Sequence, residues 1–138
     1  MPLDPESFHS EPGGVHWRLV DTPRHGQFDI ATVSSEDDWG PDPAGLAHLE
    51  NALARVDTLF DIALPAAEAG WAARYNGPLR RRDAWSMVRL FADASGRVAL
   101  SLNEGEYDTY CLWVITLVDG LPVDVEHRGW GGSPPDAS

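Results

Sequence analysis

The apolar residues Leu46, Leu49, Leu53, Val56, Phe60 and Ala63 are spaced three, four, three, four and three apart. That spacing follows a period of 3.6, so all six share one face of a helix, while His48, Glu50, Asn51, Arg55, Asp57, Thr58 and Asp61 take the opposite face. Such a face must be buried against something. Upstream, Phe28 and Ile30 alternate with Gln27 and Asp29, and the segments downstream are rich in strand-forming residues, so helices packed on a sheet are the frame within which everything else is read.

The helix has a clear start. Asp42 can accept from the first-turn amides, and Pro43 at the first helical position gives up an N–H that no helix bond needs. Pro65 is expected to end or kink this helix and to begin a second one over 65–75, with Leu64, Ala67, Trp71 and Tyr75 as its apolar stripe and "NGP" (76–78) as its stop. Upstream, "VHWRLV" (15–20) and "QFDIATV" (27–33) read as strands joined through Pro23 and Gly26. Downstream, residues 84–92, 97–102, 109–118 and 121–126 are rich in β-branched and aromatic side chains. Gly96 suits a left-handed turn position, Asp119-Gly120 is a two-residue hairpin signal, and Pro122 places the last strand at an edge. "CLWVITLV" (111–118), apolar on both faces, is expected to be central. The expected fold is α+β: an antiparallel sheet of about five to six strands with two helices packed on one face, in the order ββ-αα-ββββ. One domain is expected over 15–128, between loose arms at 1–14 and 129–138 whose Pro and Gly show no periodicity.

Charge narrows the function classes. The chain of 138 residues has 22 acidic and 10 basic residues, for a net charge of −12, and every basic residue is an arginine. A field of that sign repels phosphate backbones and anionic membranes, so neither nucleic acid nor membrane is expected as a partner, and it speeds encounter with a basic protein. The single cysteine, Cys111, rules out an internal disulfide, and the opening "MPLDPESFHS" lacks the basic and apolar regions of a secretory signal. A cytoplasmic location is the expectation.

Two acidic stretches are candidates for contact. Glu36, Asp37 and Asp38 precede the helix start, where the helix dipole favours negative charge, and Trp39 beside them either staples the loop to the helix or anchors a partner. Glu104, Glu106 and Asp108 alternate and would project to one side of an extended chain. Converging, they could hold Ca²⁺ or Mg²⁺ or supply a general acid and base, but a row roughly 6.5 Å apart diverges and favours a solvated acidic loop. No metal or cofactor is assigned. "RRRD" (80–83) has no glycine-rich cradle, the five histidines show no metal spacing, and Cys111 within a strand reads as a small hydrophobe, so no catalytic residue is assigned.

Two functions from different classes fit these residues. The first is an acidic protein-binding module, in the manner of a small immunity- or antitoxin-like inhibitor of a basic partner, using Glu36, Asp37, Asp38, Trp39, Glu104, Glu106 and Asp108; a homodimer is compatible with it. The second is a small-molecule-binding or enzymatic domain with an aromatic-lined pocket between helices and sheet, built from Trp71, Tyr75, Trp85, Tyr107 and Tyr110 with Arg89 and His127 as polar groups. In a regular strand Arg89 shares a face with Trp85, Met87 and Phe91. A deep pocket holding Arg89 favours the second function, and a filled core beneath a flat acidic face favours the first.

Overall fold

Asp42 opens the first helix as its sequence requires: its carboxylate accepts from the amides of Ala44 at 2.9 Å and Gly45 at 3.3 Å, with Pro43 in the first turn. A computed structural model of the chain describes Glu6 and residues 8–11, 15–22, 27–37, 40–77, 84–105 and 111–129. Its elements are β1 His9–Glu11, β2 Val15–Thr22, β3 Gln27–Asp37, β4 Gly40–Pro41, α1 Pro43–Ala54, α2 Val56–Tyr75, β5 Trp85–Ala92, β6 Val98–Glu104, β7 Cys111–Val118 and β8 Leu121–Gly129. The fold is α+β, two helices with a mostly antiparallel sheet.

Helix packing departs from the sequence pattern at one joint. The chain breaks at Arg55 (φ −118°, ψ 21°), and α2 runs unbroken through Pro65. Both Pro65 and Asp61, the residue four positions before it, are exposed, so the missing proline N–H falls on the solvent side of the helix. Burial of Ala63, Leu64, Ala67 and Trp71 holds the helix on both sides of that point. An unbroken helix over 43–75 would be about 50 Å long at about 1.5 Å per residue. The break instead lets α1 lie over β3 and β5 while α2 lies over β7 and β8.

The strands are ordered β1-β2-β3-β5-β6-β7-β8, with β4 paired to β3 off that path. The expectation of a wholly antiparallel sheet is corrected at β3 and β5, which pair in parallel through Ile30↔Arg89 and Thr32↔Phe91. The reason is topological: the helical pair carries the chain back across the sheet, so β5 starts at the same end as β3. The count also exceeds five to six, because the short β1 and β4 add to it. β1 falls within residues 1–14, expected as a loose arm; its three residues pair with β2, and Phe8 is buried. The central position belongs to β5, and β7 lies one strand in from the edge strand β8. Both glycine turns are as expected: Gly96 has φ +94°, and Asp119 and Gly120 both have positive φ.

The core forms where the helices meet the sheet. Leu49, Phe60, Met87, Leu90, Leu100, Leu102, Ile115 and Leu117 are all essentially inaccessible, each stabilising the fold by about 1.5–3 kcal/mol relative to exposure. On β6 and β7 the core residues alternate with Ala99, Ser101, Val114 and Thr116, which face away from them. Among the described residues no helix is long and apolar enough to cross a membrane.

Candidate functional site

The site begins with a fault in one strand. Along β5, Trp85 and Met87 are buried and Ser86 and Val88 are half-buried, so a regular strand would bury Arg89. Instead the register with β6 shifts between Met87 and Arg89, Arg89 is half-buried, and Leu90 takes the core position. A bulge of this kind adds one residue and re-aims the side chain that follows it. Arg89 and Phe91 therefore lie on the opposite face from Trp85 and Met87, which corrects the shared face inferred from simple alternation.

On that opposite face the sheet forms a trough of about 360 Å³. Its shape follows from residue size along rows of paired positions. One row runs Arg89, Ser101, Val114 and Glu126 across β5 to β8, and the next runs Thr32, Phe91, Ala99 and Thr116 across β3 to β7. β6 contributes only Ala99 and Ser101 to these rows, between larger side chains on β5 and polar ones on β8, so the middle of the face is hollow. Thr32, Ser101 and Val114 are buried at its floor. The Thr32 hydroxyl donates to the Leu90 carbonyl at 3.2 Å and ties β3 to β5 there.

The rim carries the charge. Five arginines have described side chains (Arg55, Arg74, Arg89, Arg97 and Arg128), and three of them line this trough. The two acids of the rim are engaged locally. Asp93 accepts from the Ser95 amide at 2.9 Å, the Ser95 hydroxyl at 2.7 Å and the Arg97 amide at 3.0 Å, which builds the β5–β6 turn. Partial burial pushes the Asp93 carboxyl up, but these hydrogen bonds and the Arg97 charge outweigh it and hold it below the ordinary value. Glu126 is paired with Arg128 at 2.6 Å on the surface.

The residues singled out from the sequence are distributed differently. Of the aromatic set expected to line a pocket between helices and sheet, Trp71 and Trp85 are core residues, each at most 5% exposed. Trp71, Tyr75 and His127 do come together, around Trp113; the ring centroids of Trp113 and His127 are 4.4 Å apart and those of Trp71 and Tyr75 are 5.0 Å apart. This cluster sits on the helix side, away from Arg89. Glu104 is fully buried opposite Trp85 and so is not available to an outer acidic row. Glu36 and Asp37 end β3, and their side chains lie outside the described set; Asp38, Trp39, Glu106, Tyr107, Asp108 and Tyr110 lie outside the described residues altogether. Among the described residues no group of three or more His, Cys, Asp or Glu gathers to hold a metal.

The sequence did not mark Asp93, Arg97, Ala99, Ser101 and Arg128 as site residues, and it placed Phe91 beside Arg89 only as a strand neighbour. A signal for the trough was present in "VALSLNE", where small Ala99 and Ser101 alternate with Leu100 and Leu102: one face packs, and the other has little to fill it. No protein-family model, curated protein or solved structure matches this chain significantly.

Proposed function

We infer that this is a small-molecule-binding domain whose site is the trough on the sheet face opposite the core. In this reading the two helices cover a single face of the sheet and leave the other free to hold a ligand. The observation that carries it is the bulge that turns half-buried Arg89 over a floor of small residues in a cavity of about 360 Å³. That volume is at the lower end of the ~300–1,000 Å³ typical of ligand sites, so a compact ligand is implied. The lining offers arginine, hydroxyl and apolar groups, and its two carboxylates, Asp93 and Glu126, are engaged with the β5–β6 turn and with Arg128, which supports binding. The test is an amide NMR screen with small aromatic fragments, charged and neutral. Shifts confined to β5, β6 and β7 that vanish in Thr116→Trp, which fills the trough, support the reading. Fragments that bind Thr116→Trp as well as the wild type would refute it.

The acidic protein-binding module is the second proposal. It draws support from the net charge of −12 and from Asp57 and Asp61, exposed one turn apart on α2. Affinity capture at low salt should then yield a basic protein that leaves at high salt, and capture insensitive to salt would count against it.

A further inference from the structure

We propose that the trough takes an organic monocarboxylate with an apolar body, its carboxylate gripped by Arg89 and its body lying over Ala99 and Val114. This rests on the reading of the trough as a ligand site and adds the chemical class of what fills it. The first ground is charge. Acids outnumber bases 22 to 10 in this chain, yet the two acids that share the rim with Arg89 are engaged elsewhere, Asp93 with the turn amides and Glu126 with Arg128. In the sheet Arg89 is flanked by Ser101 on β6 and Ile30 on β3, and among the described residues no carboxylate pairs with it. A half-buried guanidinium with no carboxylate partner among the described residues gains from an anion that enters the trough.

The second ground is geometry. Without the bulge Arg89 would belong to the core face, so the local distortion places this charge in the trough and nowhere else. A guanidinium fork matches a planar carboxylate with two parallel hydrogen bonds. The third ground is the wall: Phe91, Ala99 and Val114 offer carbon surface, and the Thr32 hydroxyl is already committed to the Leu90 carbonyl, which suits a ligand whose body needs few polar contacts. A polyanion is disfavoured, because each added charge meets the repulsion of a chain at −12, whereas a single carboxylate incurs it once.

Isothermal titration with 3-phenylpropionate and its neutral amide, 3-phenylpropionamide, tests the assignment, with amide NMR to locate each probe. The acid is expected to bind in the trough at least tenfold more tightly than the amide. Arg89→Gln should lower the acid to the affinity of the amide and leave the amide unchanged, and Arg89→Lys should fall between. Thermal melts check that both variants fold. If either does not, the acid-to-amide ratio in the wild type and its loss in Thr116→Trp decide the matter. Equal binding of acid and amide, both lost in Thr116→Trp, would overturn the carboxylate class and leave the trough as a ligand site. No trough shifts from either probe or from the fragment screen would overturn both.

Discussion

Gly70 lies on α2 where the helix crosses β7, and replacing it with alanine sets two known effects against each other. Alanine is better than glycine inside a helix by about 1 kcal/mol. A Cβ at position 70, however, would stand 2.8 Å from Trp113 Cζ3, 3.2 Å from Trp113 Cε3 and 3.3 Å from Val125 Cγ1. Trp113 cannot easily yield: it is 3% exposed and packs against His127, with ring centroids 4.4 Å apart. Overpacking of this kind costs about 1–3 kcal/mol, so Gly70→Ala should be destabilising by about 1 kcal/mol net and lower Tm by roughly 3 °C. In a Trp113→Phe background the obstructing ring atoms are gone, and the same substitution should become neutral or stabilising by up to about 1 kcal/mol. Urea unfolding followed by far-UV circular dichroism on the four proteins of this cycle measures the coupling directly. If Gly70→Ala stabilises the wild type by the full propensity gain, the close approach of α2 to β7 is wrong, and the packing argument with it.

Three further outcomes can be checked by denaturation. Asp42→Ala removes the acceptor for the Ala44 and Gly45 amides and should cost about 1 kcal/mol in urea unfolding, with the loss of protection confined to the start of α1. Asp93 has a folded carboxyl held below its ordinary value by the Ser95 and Arg97 hydrogen bonds after burial opposes them, so its contribution is present above the unfolded value and lost as pH falls through the folded one. Melts of Asp93→Asn and wild type should therefore differ most above about pH 4 and converge in stronger acid. Burial pushes Glu68 up, the opposite sign: the folded state disfavours its charge at neutral pH and tolerates its protonated form. Glu68→Gln should raise Tm near neutrality and leave it unchanged below about pH 4, and a Tm gain that persists in acid would show that charge is not the cause.

Features fixed by a few neighbouring residues were legible in the sequence. Asp42-Pro43 and Asp119-Gly120 specify their cap and turn through local hydrogen bonds and allowed φ, and both are where the residues place them. Pro65 does not end the helix, because its penalty is local while the burial of Ala63, Leu64, Ala67 and Trp71 against the sheet is not visible in the sequence around it. The apolar spacing through Val56 likewise ran smoothly across Arg55, where the chain changes direction. The site was obscured by one residue of register: alternation places Arg89 with Trp85 and Met87, and only pairing with β6 reveals the bulge that separates them. The strand direction of β5 depends on where the helical crossover returns, which no short window encodes.

The parallel seam between β3 and β5 also dictates an order of assembly. β5, β6, β7 and β8 follow one another along the chain and pair in that order, so their contacts are short-range in sequence. The bond from Thr32 to Leu90 spans 58 positions, and closing a loop of that length costs about 2 kcal/mol more than closing one of about five residues. The amino-terminal ribbon of β1, β2 and β3 is therefore expected to dock after the carboxy-terminal meander has paired, with the Thr32 floor of the trough closing in that later step.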